Sequence, residues 1–216
     1  MSRILITSGP TRQYLDPVRY LTNASSGRMG AALAAAAIEA GHQVVVVSGP
    51  VDVPYPPGAE VFPVVSTDEM LAACQRVFPT CDGLIAAAAP CDYRPLKVAR
   101  QKLRKTGEPL RLELAETPDI VAALATEKGT RWIVAFALET EDPRLRAMQK
   151  LQRKGCDLIV VNGPESIHAP ETRVEILARD AQVLGIFSGS KREVATEILR
   201  LIERELMSAK AFCTDV

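Results

Sequence analysis

Arg3-Ile4-Leu5-Ile6-Thr7 opens a chain in which residues 27–40, rich in alanine, are followed by Val44-Val45-Val46-Val47-Ser48. Two short β-branched runs on either side of a helical pattern make a β-α-β unit, and such units build parallel sheets. Val44 to Val47 is apolar at every position, without the alternation of a half-exposed strand. A strand of that kind has both faces covered, as in the middle of a sheet wrapped by helices.

The same rhythm continues. Strand-like runs at residues 61–65, 83–88, 110–114, 132–137 and 157–161 alternate with a helical pattern at 67–78 and with helix openings at Thr117-Pro118-Asp119 and Asp142-Pro143. Ser66 with Glu69, and Ser190 with Glu193, have capping-box spacing, while Thr117 and Asp142 each precede a proline suited to the first helical position. Residues 174–178 and 183–187 flank Arg179-Asp180-Ala181-Gln182 and read as an antiparallel hairpin. A last helix over 191–207 spaces Val194, Ile198, Leu201, Ile202 and Leu206 for packing on the sheet, with a frayed tail after Ala209. The expected fold class is α/β: a Rossmann-like, doubly wound, mainly parallel sheet with a C-terminal antiparallel hairpin and final helix. No repeat, low-complexity tract or linker divides the 216 residues, so one domain spanning 1–216 is expected.

The 26 basic and 26 acidic residues cancel. With no global positive field, neither nucleic acid nor an anionic membrane is an expected partner, and any anion site has to be built locally. No apolar stretch approaches the roughly 18 to 20 residues of a membrane span, and Met1-Ser2-Arg3 leads straight into a short strand, so a cytoplasmic location is expected. Five cysteines, at 74, 81, 91, 156 and 213, form no CxxC pair, and only His42 and His168 are present to join them. Neither a disulfide framework nor a protein-built metal site is expected, and both histidines read as structural or solvent-exposed.

In a doubly wound sheet, ligands bind beyond the carboxyl ends of the strands. After the first strand comes Thr7-Ser8-Gly9-Pro10-Thr11-Arg12, and later Asn23-Ala24-Ser25-Ser26-Gly27-Arg28-Met29-Gly30 opens the alanine-rich helix. Small residues let a phosphate approach the backbone, and a helix N-terminus favours negative charge. Gly9, Ser25, Ser26 and Gly27 are therefore candidate nucleotide contacts, against the plainer reading of a turn with a serine cap. This is neither the GxGxxG fingerprint nor a P-loop, and Val47-Ser48-Gly49-Pro50 lacks the acid that a ribose diol would want, which disfavours a nicotinamide cofactor.

The run Ala86-Ala87-Ala88-Ala89-Pro90-Cys91-Asp92-Tyr93-Arg94-Pro95 leaves room at a strand end for a flat base or sugar beside Ala88, with Asp92 able to hold a polar edge or a metal ion. Cys91 has no histidine or evident base nearby in sequence and reads as a packing residue. Residues 97–105 carry Lys97, Arg100, Lys102, Arg104 and Lys105 and no acid. Such a loop is either a solvated surface or a flap over a polyphosphate. Arg146, Lys150 and Lys154 share one helical face, either as phosphate ligands or as a cationic last turn complementing the helix dipole.

At these residues the sequence resembles the phosphopantothenate-cysteine ligase family, also called phosphopantothenoylcysteine synthetase, over residues 4–162. The likeness is carried by Asp16-Pro17-Val18-Arg19-Tyr20-Leu21-Thr22-Asn23-Ala24-Ser25-Ser26-Gly27-Arg28-Met29-Gly30, by Asp92-Tyr93-Arg94-Pro95 and by Lys102-Leu103-Arg104-Lys105. Pro118-Asp119-Ile120-Val121, Phe136-Ala137-Leu138-Glu139-Thr140, Lys150 and Lys154 extend it. The sequence departs from the family pattern at Gly9-Pro10, at Ala89-Pro90-Cys91 and at Arg104, and Pro10 removes an amide donor from the first loop.

The resemblance implies a ligase of coenzyme A biosynthesis that joins 4'-phosphopantothenate to L-cysteine through an acyl-cytidylate, using CTP with Mg²⁺ held mainly by the nucleotide phosphates. It implies Asp92, Phe136 and Pro118, Asp119, Ile120 and Val121 in the nucleotide pocket, Lys150 and Lys154 near the triphosphate, Lys102 as a mobile-loop lysine and Asn23 at the intermediate. It also implies a homodimer. The chain begins at the ligase strand, so it resembles a stand-alone ligase without flavin. The rival classes are a nicotinamide-dependent reductase on a Rossmann-like sheet and a non-catalytic nucleotide-binding regulator.

Overall fold

The computed structural model describes residues 1–138, 141–163 and 171–208. Strand β1 (Arg3–Ser8) is followed by a hairpin of β2 (Arg12–Asp16) and β3 (Arg19–Thr22), helix α1 (Arg28–Glu39), β4 (Gln43–Ser48), β5 (Glu60–Pro63), α2 (Thr67–Val77) and β6 (Gly83–Ala86). Then come β7 (Tyr93–Pro95), β8 (Leu114–Glu116), α3 (Ile120–Ala125), β9 (Trp132–Leu138), α4 (Pro143–Lys154) and β10 (Leu158–Asn162). Strands β11 (Glu171–Ala178) and β12 (Val183–Ser190) lead into α5 (Lys191–Ile202), which closes with a π-helical turn over Glu203–Met207.

Eight strands form one sheet in the order β12-β11-β10-β9-β6-β1-β4-β5. The pairs from β10 to β5 are all parallel, and β11 and β12 add an antiparallel edge. Along β1 the side chains alternate between two cores: Leu5 joins the cluster under α2, α3 and α4, while Ile4 and Ile6 join the one under α1 and α5. All three have 0% exposure, and burying each contributes about 1.5–3 kcal/mol. The doubly wound reading of the valine run is therefore correct.

The chain leaves β1 toward β4 and β5 on one side, while β6, β9 and β10 lie on the other. Connections part at the C-terminal ends of β1 and β6, which opens the crevice where such sheets bind ligands. A parallel bridge from Pro10 to Ala89 extends the β1–β6 pairing past the sheet and fixes both loops at that crevice.

Several sequence expectations need correction. The run at 110–114 is not a strand of the main sheet: only Leu114 is in β8, which pairs antiparallel with β7 in a separate ribbon. Leu110, Leu112 and Leu114 alternate with charged residues as a strand would, but all three stay exposed. The β2–β3 hairpin was not anticipated. Pro118 does not start α3; Asp119 is the cap and accepts the Ala122 N–H, while the Thr117 hydroxyl donates to the Cys91 carbonyl. Asp142 does precede Pro143 at the start of α4, but its side chain makes no cap bond. Ser190 and Glu193 form the full capping box, whereas Glu69 reaches one residue further back, to the Val65 N–H. His42 is structural, accepting the Ser2 N–H and meeting Glu203. The expectations at Glu139, Thr140, His168 and the tail after Ala209 lie outside the described residues.

Gly83 sits against Trp132, where an added Cβ would meet ring atoms at 2.1 Å. The indole is 4% exposed and packed in the sheet core, so it has nowhere to retreat. Gly83→Ala is expected to cost about 1–3 kcal/mol, read as a lower urea midpoint at unchanged slope. An unchanged midpoint would contradict this packing.

Candidate functional site

Helix α1 begins without a side-chain cap. Gly27 occupies the N-cap at φ 72°, a left-handed conformation that favours glycine. No acid stands in the first turn, so the first amides of the helix carry an unopposed partial positive charge. Gly30 lets this turn lie on β1: an added Cβ would come within 2.1 Å of the Ser8 Oγ. Ser8 in turn donates to the Gly27 carbonyl at 3.3 Å.

These amides open onto a cleft of about 930 Å³ that runs along the C-terminal ends of β1, β6, β9 and β10. Its floor is Ala86 to Ala89, whose methyl groups leave the backbone accessible, and Phe136 of β9 stands beside them. The loop that follows is held by threonine hydroxyls. Thr11 Oγ1 accepts the Cys91 N–H at 2.8 Å and lies 2.8 Å from Thr67 Oγ1, and Thr67 and Thr117 both donate to the Cys91 carbonyl. Asn23 ties the opposite rim to this loop, its amide donating to the Ala89 and Pro90 carbonyls at 3.2 and 2.9 Å. Both Nδ2 hydrogens are used, which leaves Oδ1 as the group able to accept from a ligand.

The far wall is the turn Pro118 to Val121 with Lys150, Arg153 and Lys154 of α4. Lys154 pairs with Asp119 at 3.0 Å. Burial raises the Asp119 pKa, but the Ala122 N–H and Lys154 outweigh it and hold the carboxyl below its ordinary value. Arg28 and Lys191 line the end nearest α1. Burial, and then the charge of Arg28, press the Lys191 pKa downward. The lining carries Arg28, Lys150, Arg153, Lys154 and Lys191 against Asp92, Glu116 and Asp119, an excess of positive charge in a chain with none overall. Among the described residues, no three His, Cys, Asp or Glu side chains converge to hold a metal ion.

A family model described as the DNA/pantothenate metabolism flavoprotein C-terminal domain matches residues 1–206. The chain belongs to that family. The coenzyme A biosynthesis bifunctional protein CoaBC of Vibrio cholerae is 39% identical over 211 residues, covering 94% of this chain and 53% of that protein. The chain spans about half the length of the curated relatives it matches. A crystal structure of the C-terminal domain of a CoaBC protein superimposes with a TM-score of 0.83 at 36% identity, covering 95% of this chain and 96% of that one. The DNA/pantothenate metabolism flavoprotein from Streptococcus pneumoniae gives a TM-score of 0.81 at 25% identity, covering 94% and 99%.

In this DNA/pantothenate metabolism domain, the cleft brings together Asn23, Ser25, Ser26, Gly27, Ala88, Asp92, Pro118 to Val121, Phe136, Lys150 and Lys154. Two residues singled out from sequence lie outside the lining. Gly9, at φ 75°, instead shapes the crevice by accepting the Ala89 N–H at 2.9 Å. Lys102 is exposed on its loop. The three cations of α4 do not act as one set, because Arg146 pairs with Glu141 at 2.7 Å and Arg153 takes a place in the wall. Arg153 and Lys191 were missed. Arg153 sits outside the i, i+4, i+8 row that drew attention to α4, and the only sequence signal for Lys191 was its position just after the Ser190 cap.

Cys91 lines the cleft but is 5% exposed, and its thiol donates toward the Thr11 carbonyl at 3.3 Å. Burial raises its pKa, so it remains a protonated thiol near neutral pH. A thiol reagent applied to the folded protein at pH 8 is expected to leave Cys91 unmodified by mass mapping. Rapid labelling would contradict an inert packing role.

Proposed function

We propose that the chain is a nucleotide-dependent amide ligase that joins 4'-phosphopantothenate to L-cysteine in coenzyme A biosynthesis, working in the cytoplasm with CTP and Mg²⁺. The observation that carries this reading is the uncapped start of α1, opening on a cleft with surplus positive charge inside a neutral molecule. Likeness to curated relatives named for coenzyme A biosynthesis supports the pathway. Among the described residues no helix is long and apolar enough to cross a membrane.

A carboxylate is a poor acyl donor until one oxygen is made a leaving group. In the proposed first step, a carboxylate oxygen of phosphopantothenate attacks the α-phosphorus of CTP, and pyrophosphate departs. In the second, the cysteine amine attacks the acyl carbon, CMP leaves, and the amine proton is lost. Both steps need alignment and neutralisation of spreading negative charge more than they need an acid or base. Amides of α1 with Arg28 and Lys191 at one end, and Lys150 at the other, would supply that field. The alanine floor with Phe136 would admit the base, and Asp92 would meet its polar edge. Mg²⁺ would be held by the nucleotide's own phosphates.

Lys102 is assigned to the first step, reaching the nucleotide from its loop. Asn23 is assigned to the second. With both Nδ2 hydrogens donated to the Ala89 and Pro90 carbonyls, its Oδ1 suits an N–H donor such as the cysteine amine. Large apolar side chains stay exposed on the β2–β3 hairpin and the arm around β7 and β8, among them Val18, Tyr93, Leu96, Leu110 and Leu112. A second copy of the chain would cover this surface in a homodimer.

The deciding experiment is a panel of nucleotides with phosphopantothenate and cysteine, following pyrophosphate release and the mass of the amide product. CTP-dependent product is expected; nucleotide binding without turnover, or nicotinamide oxidation, would contradict the reading. Lys102→Gln is expected to slow pyrophosphate release by at least about tenfold, roughly 1.4 kcal/mol of transition-state stabilisation. Asn23→Asp is expected to spare pyrophosphate release and slow amide formation, and equal loss of both would remove Asn23 from the second step. In sedimentation, Leu110→Glu with Leu112→Glu is expected to convert a dimer to monomers, whereas a monomeric parent protein would refute the dimer.

A further inference from the structure

Asp16, at the end of β2, is a carboxylate with 0% exposure that takes no part in lining the cleft. Its Oδ1 accepts the N–H groups of Val18 and Arg19 at 2.9 and 3.0 Å. Its Oδ2 accepts the Arg19 guanidinium, with Nε at 2.9 Å, and the Leu103 N–H at 3.0 Å. The same guanidinium donates to the Leu103 carbonyl at 2.6 Å. One ion pair thus grips both main-chain polar groups of a single residue far away in sequence. Leu103 is the residue after Lys102.

The loop has little else to hold it. Residues 97–105 carry five cations and no acid, so their mutual repulsion favours an extended, mobile chain. Ala99 donates to the Leu15 carbonyl, and Leu96 to that of Glu113. Among the described residues, the two bonds at Leu103 are the only hydrogen bonds that tie residues 100–112 to another part of the chain. Leu103 is half-buried, whereas Gln101, Lys102, Arg104 and Lys105 are exposed. Beyond Ala99 the loop therefore has one fixed point, with exposed cations on either side of it.

We propose that Asp16, through its pair with Arg19, is a positioning residue that pins Leu103 and makes it the pivot from which Lys102 reaches the cleft. The carboxylate suits this work because it stays charged. Burial raises its pKa, but the Arg19 side chain and the main-chain N–H groups of Leu103, Val18 and Arg19 more than offset this and keep it well below the ordinary carboxylate value. The clamp is thus fixed rather than pH-switched. Charge-assisted bonds of this kind fix geometry as well as contribute energy. The inference rests on the assignment of Lys102 to the first step, and its test separates the two.

The test combines hydrogen exchange with pyrophosphate release in Asp16→Asn, Lys102→Gln and the double variant. Asp16→Asn is expected to speed exchange of the Leu103 amide by at least about tenfold and to increase tryptic cleavage after Lys102 and Arg104, with exchange of the β1 and β4 amides unchanged as the control for intact folding. It is expected to slow pyrophosphate release by about tenfold, with no further loss in the Lys102→Gln background. Should the β strands also exchange faster, Arg19→Lys, which keeps the charge but not the fork, is the second variant, with the same result expected at Leu103. Unchanged exchange at Leu103 in both variants overturns the clamp. Faster exchange with an unaltered rate, or with a loss that adds fully to that of Lys102→Gln, overturns the positioning of Lys102. An unaltered rate in Lys102→Gln alone overturns the assignment of that lysine to the first step, and the exchange result then still decides whether the clamp exists.

Discussion

A glycine in a left-handed turn sets the chemistry of this molecule. Gly27 swings the chain into α1 with no side chain over the helix end, and Gly30 lets the first turn settle on Ser8 at the end of β1. The result is a row of main-chain donors at the place where the connections of the sheet part. A residue with a Cβ at position 27 would meet Val51 at 2.7 Å as well as carrying an unfavourable φ. The positive N-terminus of α1 and the cationic walls then do locally what the balanced overall charge cannot do at long range.

The loops around the crevice are tied together by polar bonds. Thr11, Thr67 and Thr117 converge on the main chain of Cys91, and Asn23 joins the rim after β3 to the carbonyls of Ala89 and Pro90. Each of these bonds links segments distant in sequence, so the two loops of the switch point cannot move independently. Asp16 and Arg19 apply the same device to the basic loop. Rigid floor and rim with a loosely held cationic loop is the arrangement a ligase would need if it must admit two anionic substrates and then surround them.

Much of the fold was legible because the central strands are buried on both faces. Val44 to Val47 and Ile4 to Ile6 are apolar at consecutive positions, as suits strands covered on both faces. The β2–β3 and β7–β8 ribbons were not legible, since they lie outside the main sheet and keep one face in solvent. Leu110, Leu112 and Leu114 show the alternation of a strand, yet burial, which alternation normally signals, is absent there. In the site, glycine, serine and alanine runs are contiguous and could be read directly. Arg153 and Lys191 reach the cleft only because α4 and α5 pack on opposite faces of the sheet, and that juxtaposition has no local signature.

The most direct test of the cleft as a phosphate-binding site is a crystal structure of the protein with CTP and Mg²⁺. The expected result is phosphate oxygens within about 3 Å of main-chain nitrogens in the first turn of α1, with the cytosine over the alanine floor. Phosphates lying in bulk solvent or on another face, with those nitrogens left to water, would contradict it.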